Sequence, residues 1–258
     1  MTGSFALITG ASCGVGFALA EQFARRGYDL VVADGYDEIH TAAAALSVFG
    51  TDVQAVQVDL CCADNAYLLH RRVMAAHRPV SAAALTASVS DSLCLDGSLD
   101  CALDVVDASV RGTMLLARLQ AGQMALCGGG GVILTASPGA PMPGLDAAVY
   151  SASAAFLQAF AATLQDEVRD SGVRITALMP RADDAASFTD LLIALVRRAA
   201  DSEPANIARQ AFEALTCSDR QGLAAWATDA VTALAGRLIS DRVKGPVRQI
   251  ISPTGEAV

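Results

Sequence analysis

The stretch FALITGASCGVG, residues 5–16, joins a short apolar run to a glycine-rich turn and the first residues of a helical pattern. Glycines at such a turn let backbone N–H groups approach a pyrophosphate at the N-terminus of the following helix. A glycine-rich run alone is weak evidence, but its strand–turn–helix context makes it a fairly strong signal for dinucleotide binding. A tight turn that binds no ligand is the alternative.

Strand-like and helix-like segments alternate along the rest of the chain. Apolar runs occur at 5–9, 29–33, 53–58, 80–85, 132–136, 173–179 and 247–252, and helical patterns include 15–26, 99–126 and 147–171. Continuously apolar strands separated by helices indicate a parallel sheet that is covered on both faces. We therefore predict an α/β fold, a single-domain Rossmann-type doubly wound parallel sheet over residues 1–258. The segment 181–239 is predicted to be a helical substrate lid within that domain.

Composition argues against several classes of protein. A net charge of −9 disfavours nucleic acid and anionic membranes as partners. No apolar run approaches the roughly 18 residues of a membrane span, and the N-terminus lacks the basic region of a signal peptide. The seven cysteines are scattered without a CxxC pair, and the three histidines have no metal-ligand spacing. We expect a cytoplasmic protein with reduced thiols and no metal.

Two aspartates follow the second and third apolar runs. Asp34 could accept hydrogen bonds from an adenosine ribose and would repel a 2′-phosphate, and neither Cys13 nor Gly35 adds a compensating positive charge. These residues favour NAD(H) over NADP(H). A helix N-cap or a turn is the alternative role for Asp34. Asp59 could hydrogen-bond the adenine amino group, or it could be a turn residue.

Together these motifs resemble the short-chain dehydrogenase/reductase family, in its classical branch. The resemblance rests on the run Thr9–Gly16, on Asp59-Leu60, on the spacing between Ser137 and Tyr150, and on the last strand after Gly245. It implies that Tyr150 donates a proton, that Ser137 orients a carbonyl, and that Ser109 stands at the family's helix asparagine. The implied cofactor-binding residues are Gly10, Ser12, Cys13, Gly14, Val15, Gly16, Asp34, Asp59, Leu60 and Pro180.

The chain departs from the family at the lysine of the YxxxK motif. Ala154 stands there, and Lys244 near the C-terminus is the only lysine in the chain. A nearby ammonium lowers the pKa of a tyrosine from about 10, and the family's lysine also holds the nicotinamide ribose, whereas an alanine does neither. Arg181 is the candidate replacement, with an exposed or carboxylate-paired arginine as the alternative. Arg111 is expected to point away from the site.

Three other family motifs also differ. Leu85–Ser88 replaces the family's NNAG, Ser109 replaces its asparagine, and Pro180-Arg181 replaces its Pro-Gly. The candidate substrate-pocket residues are Ser88, Met142, Leu145, Met179 and Arg181, with the apolar face Phe188–Val196 nearby. They predict a small apolar substrate.

Three functions therefore stay open. The preferred one is an NAD(H)-binding oxidoreductase that acts on an apolar carbonyl or alcohol with an incomplete catalytic set. The alternatives are a non-redox enzyme on the same scaffold, such as a dehydratase, lyase, isomerase or cyclase, and a catalytically silent binding or partner subunit.

Oligomerisation is predicted from the helix that contains Tyr150. It contains many alanines, which suggests close burial against another helix. The resemblance implies that this helix and the segment 99–126 form a homodimer or homotetramer interface.

Overall fold

The computed structural model describes residues 4–87, 99–136 and 145–178, which form six strands and the helices around them. The strands are β1 Phe5–Thr9, β2 Asp29–Asp34, β3 Val53–Gln57, β4 Ala82–Ala87, β5 Gly130–Ala136 and β6 Val173–Leu178. The α-helices are α1 Gly14–Arg25, α2 Glu38–Ser47, α3 Ala63–Met74, α4 Leu99–Val106, α5 Thr113–Leu126 and α6 Leu145–Glu167. A π-helical segment, Asp107–Gly112, joins α4 to α5, and a short 3₁₀ turn, Arg169–Ser171, follows α6.

All strand pairs in the sheet are parallel, and the strand order is β3-β2-β1-β4-β5-β6. This is the order of a Rossmann-type doubly wound sheet, so the predicted fold class is confirmed. The predicted runs agree closely with the observed strands, although β4 lies slightly further along the chain than predicted.

Both faces of the sheet are buried, as β1 illustrates. Phe5 and Leu7 pack in the core beneath α3, α5 and α6, whereas Ala6 and Ile8 pack in the core beneath α1 and α2. Successive strand residues point to opposite faces, so a strand covered on both sides must be apolar throughout. This explains why the sequence shows a continuous apolar run here rather than an alternating one.

The predicted long helix at 99–126 is helical throughout in the structure and contains a π-helical turn. Residues 107–112 adopt a π-helical turn, which places one extra residue in the turn and shifts the helix surface on either side of it. The predicted helix over 99–126 is confirmed in its bounds, but helical periodicity did not reveal the π-helical turn within it.

The predicted domain boundaries stay a prediction. Contacts divide the chain into two units, Met1–Thr216 and Cys217–Val258, and every described residue belongs to the first. The predicted lid at 181–239 and the predicted last strand lie outside the described residues. Among the helices that the structure describes, none is long and apolar enough to cross a membrane.

Candidate functional site

The predicted site lies at the edge of the sheet where the strands end. Because every strand pair is parallel, the carboxyl ends of β1, β2, β3 and β4 lie together at this edge. The chain continues from β1 to β2 on one side and from β4 to β5 on the other, which leaves a crevice between β1 and β4. Ligands of open α/β sheets bind at this switch point.

Close backbone contacts require glycine at two positions of the turn after β1. Gly10 has a φ of +63°, and a Cβ atom added there would lie 2.8 Å from the carbonyl oxygen of Thr86. A Cβ atom on Gly16 would lie 1.9 Å from the carbonyl oxygen of Gly10. Gly14 also has a positive φ, of +57°, but a Cβ atom there would meet nothing within 4 Å. The turn is therefore packed against the sheet at two glycines and open at the third.

The open side of this turn is the N-terminus of α1. The first N–H groups of a helix have no partner within the helix, and they carry the positive end of its dipole. Val15 is buried, so it offers a ligand only its backbone, while Cys13 before the helix is exposed. This arrangement suits a pyrophosphate group.

Asp34, the last residue of β2, is held by the same turn. Its Oδ2 accepts hydrogen bonds from the Ser12 backbone N–H at 3.1 Å and from the Ser12 hydroxyl at 2.5 Å, and its Oδ1 accepts one from the Gly35 N–H at 2.7 Å. Asp34 is only 4% exposed. These bonds give the aspartate a structural role in the turn, which was the alternative considered from the sequence, and they also fix a negative charge beside the cofactor turn.

The backbone around Asp34 is fixed as well. Its carbonyl oxygen accepts a hydrogen bond from the Val58 N–H at 2.7 Å, and the Ala11 N–H donates to the Ala33 carbonyl at 3.4 Å. The second bond ties the glycine-rich turn directly to the end of β2.

Asp59, after β3, lies on the surface of the site. Its Oδ1 accepts a hydrogen bond from the Cys61 N–H at 2.9 Å, and its carbonyl oxygen accepts one from the Asn65 side-chain amide at 2.7 Å. These are turn interactions, and the exposed carboxylate retains acceptor capacity. Burial raises the pKa of the Cys61 thiol to about 12, and the neighbouring Asp59 carboxylate adds to this increase. Cys61 is therefore a protonated thiol at neutral pH and not a nucleophile.

The π-helical segment closes one side of the site. A Cβ atom on Gly112 would lie 2.5 Å from the Leu60 carbonyl oxygen, so the segment touches the loop after β3. Ser109 lies in this segment and is 2% exposed. Within the described residues, its hydroxyl oxygen has no hydrogen-bond partner.

Thr86, which the resemblance predicts to stand in the family's NNAG motif, ties β4 to β1. The Thr9 hydroxyl donates to the Thr86 carbonyl at 3.1 Å and accepts from the Thr86 N–H at 3.1 Å. The buried hydroxyl oxygen of Thr86 itself has no hydrogen-bond partner in the part of the chain that the structure describes.

Tyr150 lies in the N-terminal part of α6, and its hydroxyl oxygen is buried. This helix packs against α4 and against the π-helical segment, so the elements that contain Tyr150 and Ser109 are neighbours. Ala154 lies one turn further along α6 and is half-buried. The chain therefore has an alanine and no lysine one helical turn from Tyr150.

Arg111 does not take the place of that lysine. Its guanidinium lies 3.0 Å from the Asp107 carboxylate in an i,i+4 ion pair, and its side chain is 55% exposed. The expectation that Arg111 points away from the site agrees with this geometry.

Several predicted site residues lie outside the described residues. These are Ser88, Ser137, Met142, Met179, Pro180 and Arg181; Leu145 begins α6, but its side chain is not described. Their roles stay predictions. No group of three or more histidine, cysteine, aspartate or glutamate side chains in the described ranges could hold a metal ion.

Sequence reasoning missed two features of this edge. It named Ser12 and Asp34 separately, as cofactor ligands, but not their mutual hydrogen bond, and it did not pair Thr9 with Thr86. Hydroxyl residues at the ends of neighbouring strands were the available signal, but only the strand register brings them together.

Comparison with known proteins identifies the family. Residues 4–191 match the family model described as short chain dehydrogenase. The chain is 29% identical over 182 residues to an oxidoreductase from Sarocladium schorii, spanning 70% of this chain and 72% of that protein. It is 30% identical over 185 residues to 1-deoxy-11-beta-hydroxypentalenate dehydrogenase from Streptomyces exfoliatus, spanning 68% of this chain and 66% of that protein.

A solved structure with similar architecture is that of L-sorbose reductase from Gluconobacter frateurii in complex with NADPH and L-sorbose. It aligns with a TM-score of 0.66 and 25% identity over 84% of this chain and 90% of that chain. The chain therefore belongs to the short chain dehydrogenase family, whose members bind nicotinamide cofactors.

Proposed function

We propose that this member of the short chain dehydrogenase family is an NAD(H)-dependent oxidoreductase that acts on an apolar carbonyl or alcohol through an atypical active site. The observation that carries the proposal is the glycine-rich turn, open at Gly14, beside the fixed and buried carboxylate of Asp34. Both lie at the switch point of the sheet, where a dinucleotide would bind.

The residues present fit a dinucleotide. The N–H groups at the start of α1 would hold the pyrophosphate, because the turn leaves open space at Gly14. Asp34 would accept a hydrogen bond from a ribose hydroxyl, and Asp59 would bind the adenine amino group. Leu60 and Pro180 are proposed to complete the binding site. When bound, the nicotinamide would provide the hydride of the reaction.

The proposed preference for NAD(H) rests on charge. A 2′-phosphate beside Asp34 would meet a carboxylate that is only 4% exposed and therefore poorly screened. The L-sorbose reductase complex contains NADPH, so the architecture alone sets no preference.

Catalysis is proposed to depend on Tyr150, Ser137 and Ser109. The buried Tyr150 hydroxyl would donate a proton to the oxygen of the substrate carbonyl, which Ser137 would orient. Ser109, at the family's asparagine position, has a buried hydroxyl that could hold a water molecule for proton exchange. Without a lysine at Ala154, reduction is expected to lose less rate than oxidation, since a neutral tyrosine can still donate a proton but is a poor base.

We also propose that α4 and α6 form a homodimer or homotetramer interface. Within one chain, α6 exposes a stripe of small residues at helical spacing: Ala148, Ala152, Ala155, Ala159 and Ala162. On α4, Leu99 and Leu103 are 73% and 53% exposed. Small side chains permit close helix packing, and exposed leucines on the neighbouring helix add apolar area.

The first test is calorimetric titration of the cofactor-stripped protein with NADH and then with NADPH. The proposal predicts micromolar binding of NADH and weaker binding of NADPH. Failure to bind either dinucleotide would overturn the proposal and favour a partner subunit.

The second test compares wild-type protein with Tyr150→Phe on a panel of apolar carbonyl compounds, following nicotinamide oxidation. Removing the proton donor should lower kcat by about 10²–10⁴-fold and leave the Kd for NADH within about threefold. Unchanged turnover in the variant would refute the role of Tyr150. Product formation without nicotinamide consumption would support the non-redox alternative.

A further inference from the structure

The hydrogen bonds to Asp34 leave its carboxylate little freedom to move. A carboxylate offers about four acceptor sites, and three are used here by the Ser12 hydroxyl, the Ser12 N–H and the Gly35 N–H. The Ser12 bond at 2.5 Å joins a hydroxyl to a charged oxygen, which is the stronger class of hydrogen bond. About one acceptor site therefore remains for a ligand.

Freedom of this side chain matters because a 2′-phosphate can be accommodated only if the carboxylate turns away from it. Turning the Asp34 carboxylate requires breaking the bonds that hold it. Two of these come from backbone N–H groups, which substitutions leave in place. The third comes from the Ser12 side chain, which is half-exposed and lies in the cofactor turn itself.

We infer that Ser12 is a specificity-determining residue, which excludes NADPH by holding the Asp34 carboxylate in the position where a 2′-phosphate would lie. The inference rests on the proposed NAD(H) function. Ser12 acts through Asp34 and is therefore a positioning residue.

This role predicts an asymmetric effect of removing the hydroxyl. In Ser12→Ala, the carboxylate keeps its two backbone bonds but turns more easily, so the penalty for NADPH falls. The Kd for NADPH therefore falls relative to the Kd for NADH. Loss of one charge-assisted hydrogen bond corresponds to about a tenfold change in Kd.

The experiment measures the Kd of NADH and of NADPH for cofactor-stripped protein by titration. The ratio of the NADPH Kd to the NADH Kd should fall about tenfold in Ser12→Ala and in Ser12→Gly. Ser12→Thr should keep the wild-type ratio, since it retains the hydroxyl. Ser47→Ala is the matched control, because it removes a hydroxyl that donates to the Ala43 carbonyl within α2.

A double-mutant cycle distinguishes positioning from a general effect on the turn. In an Asp34→Ala background, the further change Ser12→Ala should leave the ratio unchanged, because there is no carboxylate to hold. An unchanged ratio in Ser12→Ala and Ser12→Gly, with wild-type NADH binding intact, would overturn this inference alone. Binding of neither dinucleotide by the wild-type protein would overturn the proposed function and this inference with it.

Discussion

The loops after β1 and β2 would bind a cofactor mainly through backbone geometry, whereas the region around Tyr150 would act through a few individual side chains. In the loops, Gly10 and Gly16 are required by close backbone contacts, and the Asp34 carboxylate is satisfied by neighbouring donors. Around Tyr150, the buried Ser109 hydroxyl has no hydrogen-bond partner among the described residues, and Ala154 stands where the resemblance predicts a lysine.

The two parts of the site therefore tolerate sequence change differently. A nucleotide turn is made of backbone geometry, so a side chain added at its packed glycines collides with the main chain. A proton-transfer set is made of a few side chains whose loss leaves the fold intact. One chain can therefore keep the first and alter the second, and substitutions should separate the two parts.

The largest effect is expected from Gly16→Ala. The added Cβ atom would lie 1.9 Å from the Gly10 carbonyl oxygen, so the turn must move. We expect the free energy of unfolding to fall by about 3 kcal/mol and NADH binding to be lost. Urea denaturation and cofactor titration would measure these changes. Gly122→Ala is the control, because its Cβ atom meets nothing within 4 Å in α5 and should be neutral or slightly stabilising. Equal stability of the two variants would contradict the close packing of the turn.

Ala154→Lys tests whether the altered part can be restored. A lysine on this turn of α6 would place an ammonium near Tyr150, stabilise its phenolate and increase kcat for alcohol oxidation by about tenfold to a hundredfold. The pH profile of oxidation should also move to lower pH.

Gln158→Lys is the matched control for that gain, since it adds the same charge one turn further along α6 at an exposed position. The same gain in both variants would show a general charge effect and would argue against a restored proton relay.

Ala155→Arg tests the proposed oligomer interface. Ala155 is exposed in the middle of the alanine stripe, and a long cation there would prevent close approach of a second helix. We expect the mass in light scattering at micromolar concentration to fall from that of a dimer or tetramer to that of a monomer. Ala45→Arg serves as the control, because Ala45 is an exposed alanine on α2, which packs on the opposite face of the sheet from α6. A monomeric wild-type protein would refute the interface.

The smallest expected effect is on the pH dependence of stability, and it involves His70, which lies outside the site. The His70 Nδ1 lies 3.2 Å from the Gln120 side-chain nitrogen, and burial lowers the pKa of His70. The unfolded chain therefore binds this proton at a higher pH than the folded protein does. Stability should fall as the pH drops below the ordinary histidine value of about 6.5, until the folded protein also binds the proton.

His70→Gln should accordingly lose less stability than wild type between about pH 7 and pH 5, as measured by urea denaturation at each pH. His40→Gln, at an exposed position on α2, is the control and should follow wild type. Identical pH dependence in wild type and His70→Gln would show that burial of His70 does not contribute.

Features that depend on one short segment of the chain could be predicted from the sequence more fully than features that depend on distant residues. The strand β1 and the glycines after it were predictable because burial on both faces demands a continuous apolar run and because a turn against a helix N-terminus demands glycine. The residues proposed for catalysis were predictable only through spacing and resemblance. The roles of Ser137 and Arg181 stay predictions. For Tyr150 the structure shows a buried hydroxyl, and its catalytic role also stays a prediction.

The parallel α/β architecture, the glycine-rich turn and the alanine at position 154 were evident before any fold was known, because periodicity, turn chemistry and residue identity are properties of short segments. Three features appear only in the folded chain: the bond between Ser12 and Asp34, the pairing of Thr9 with Thr86 and the π-helical turn around Ser109. The two hydrogen-bonded pairs depend on the register of strands that are far apart in the chain. The turn lies where Gly112 meets the Leu60 carbonyl, a contact between segments that are likewise distant in sequence.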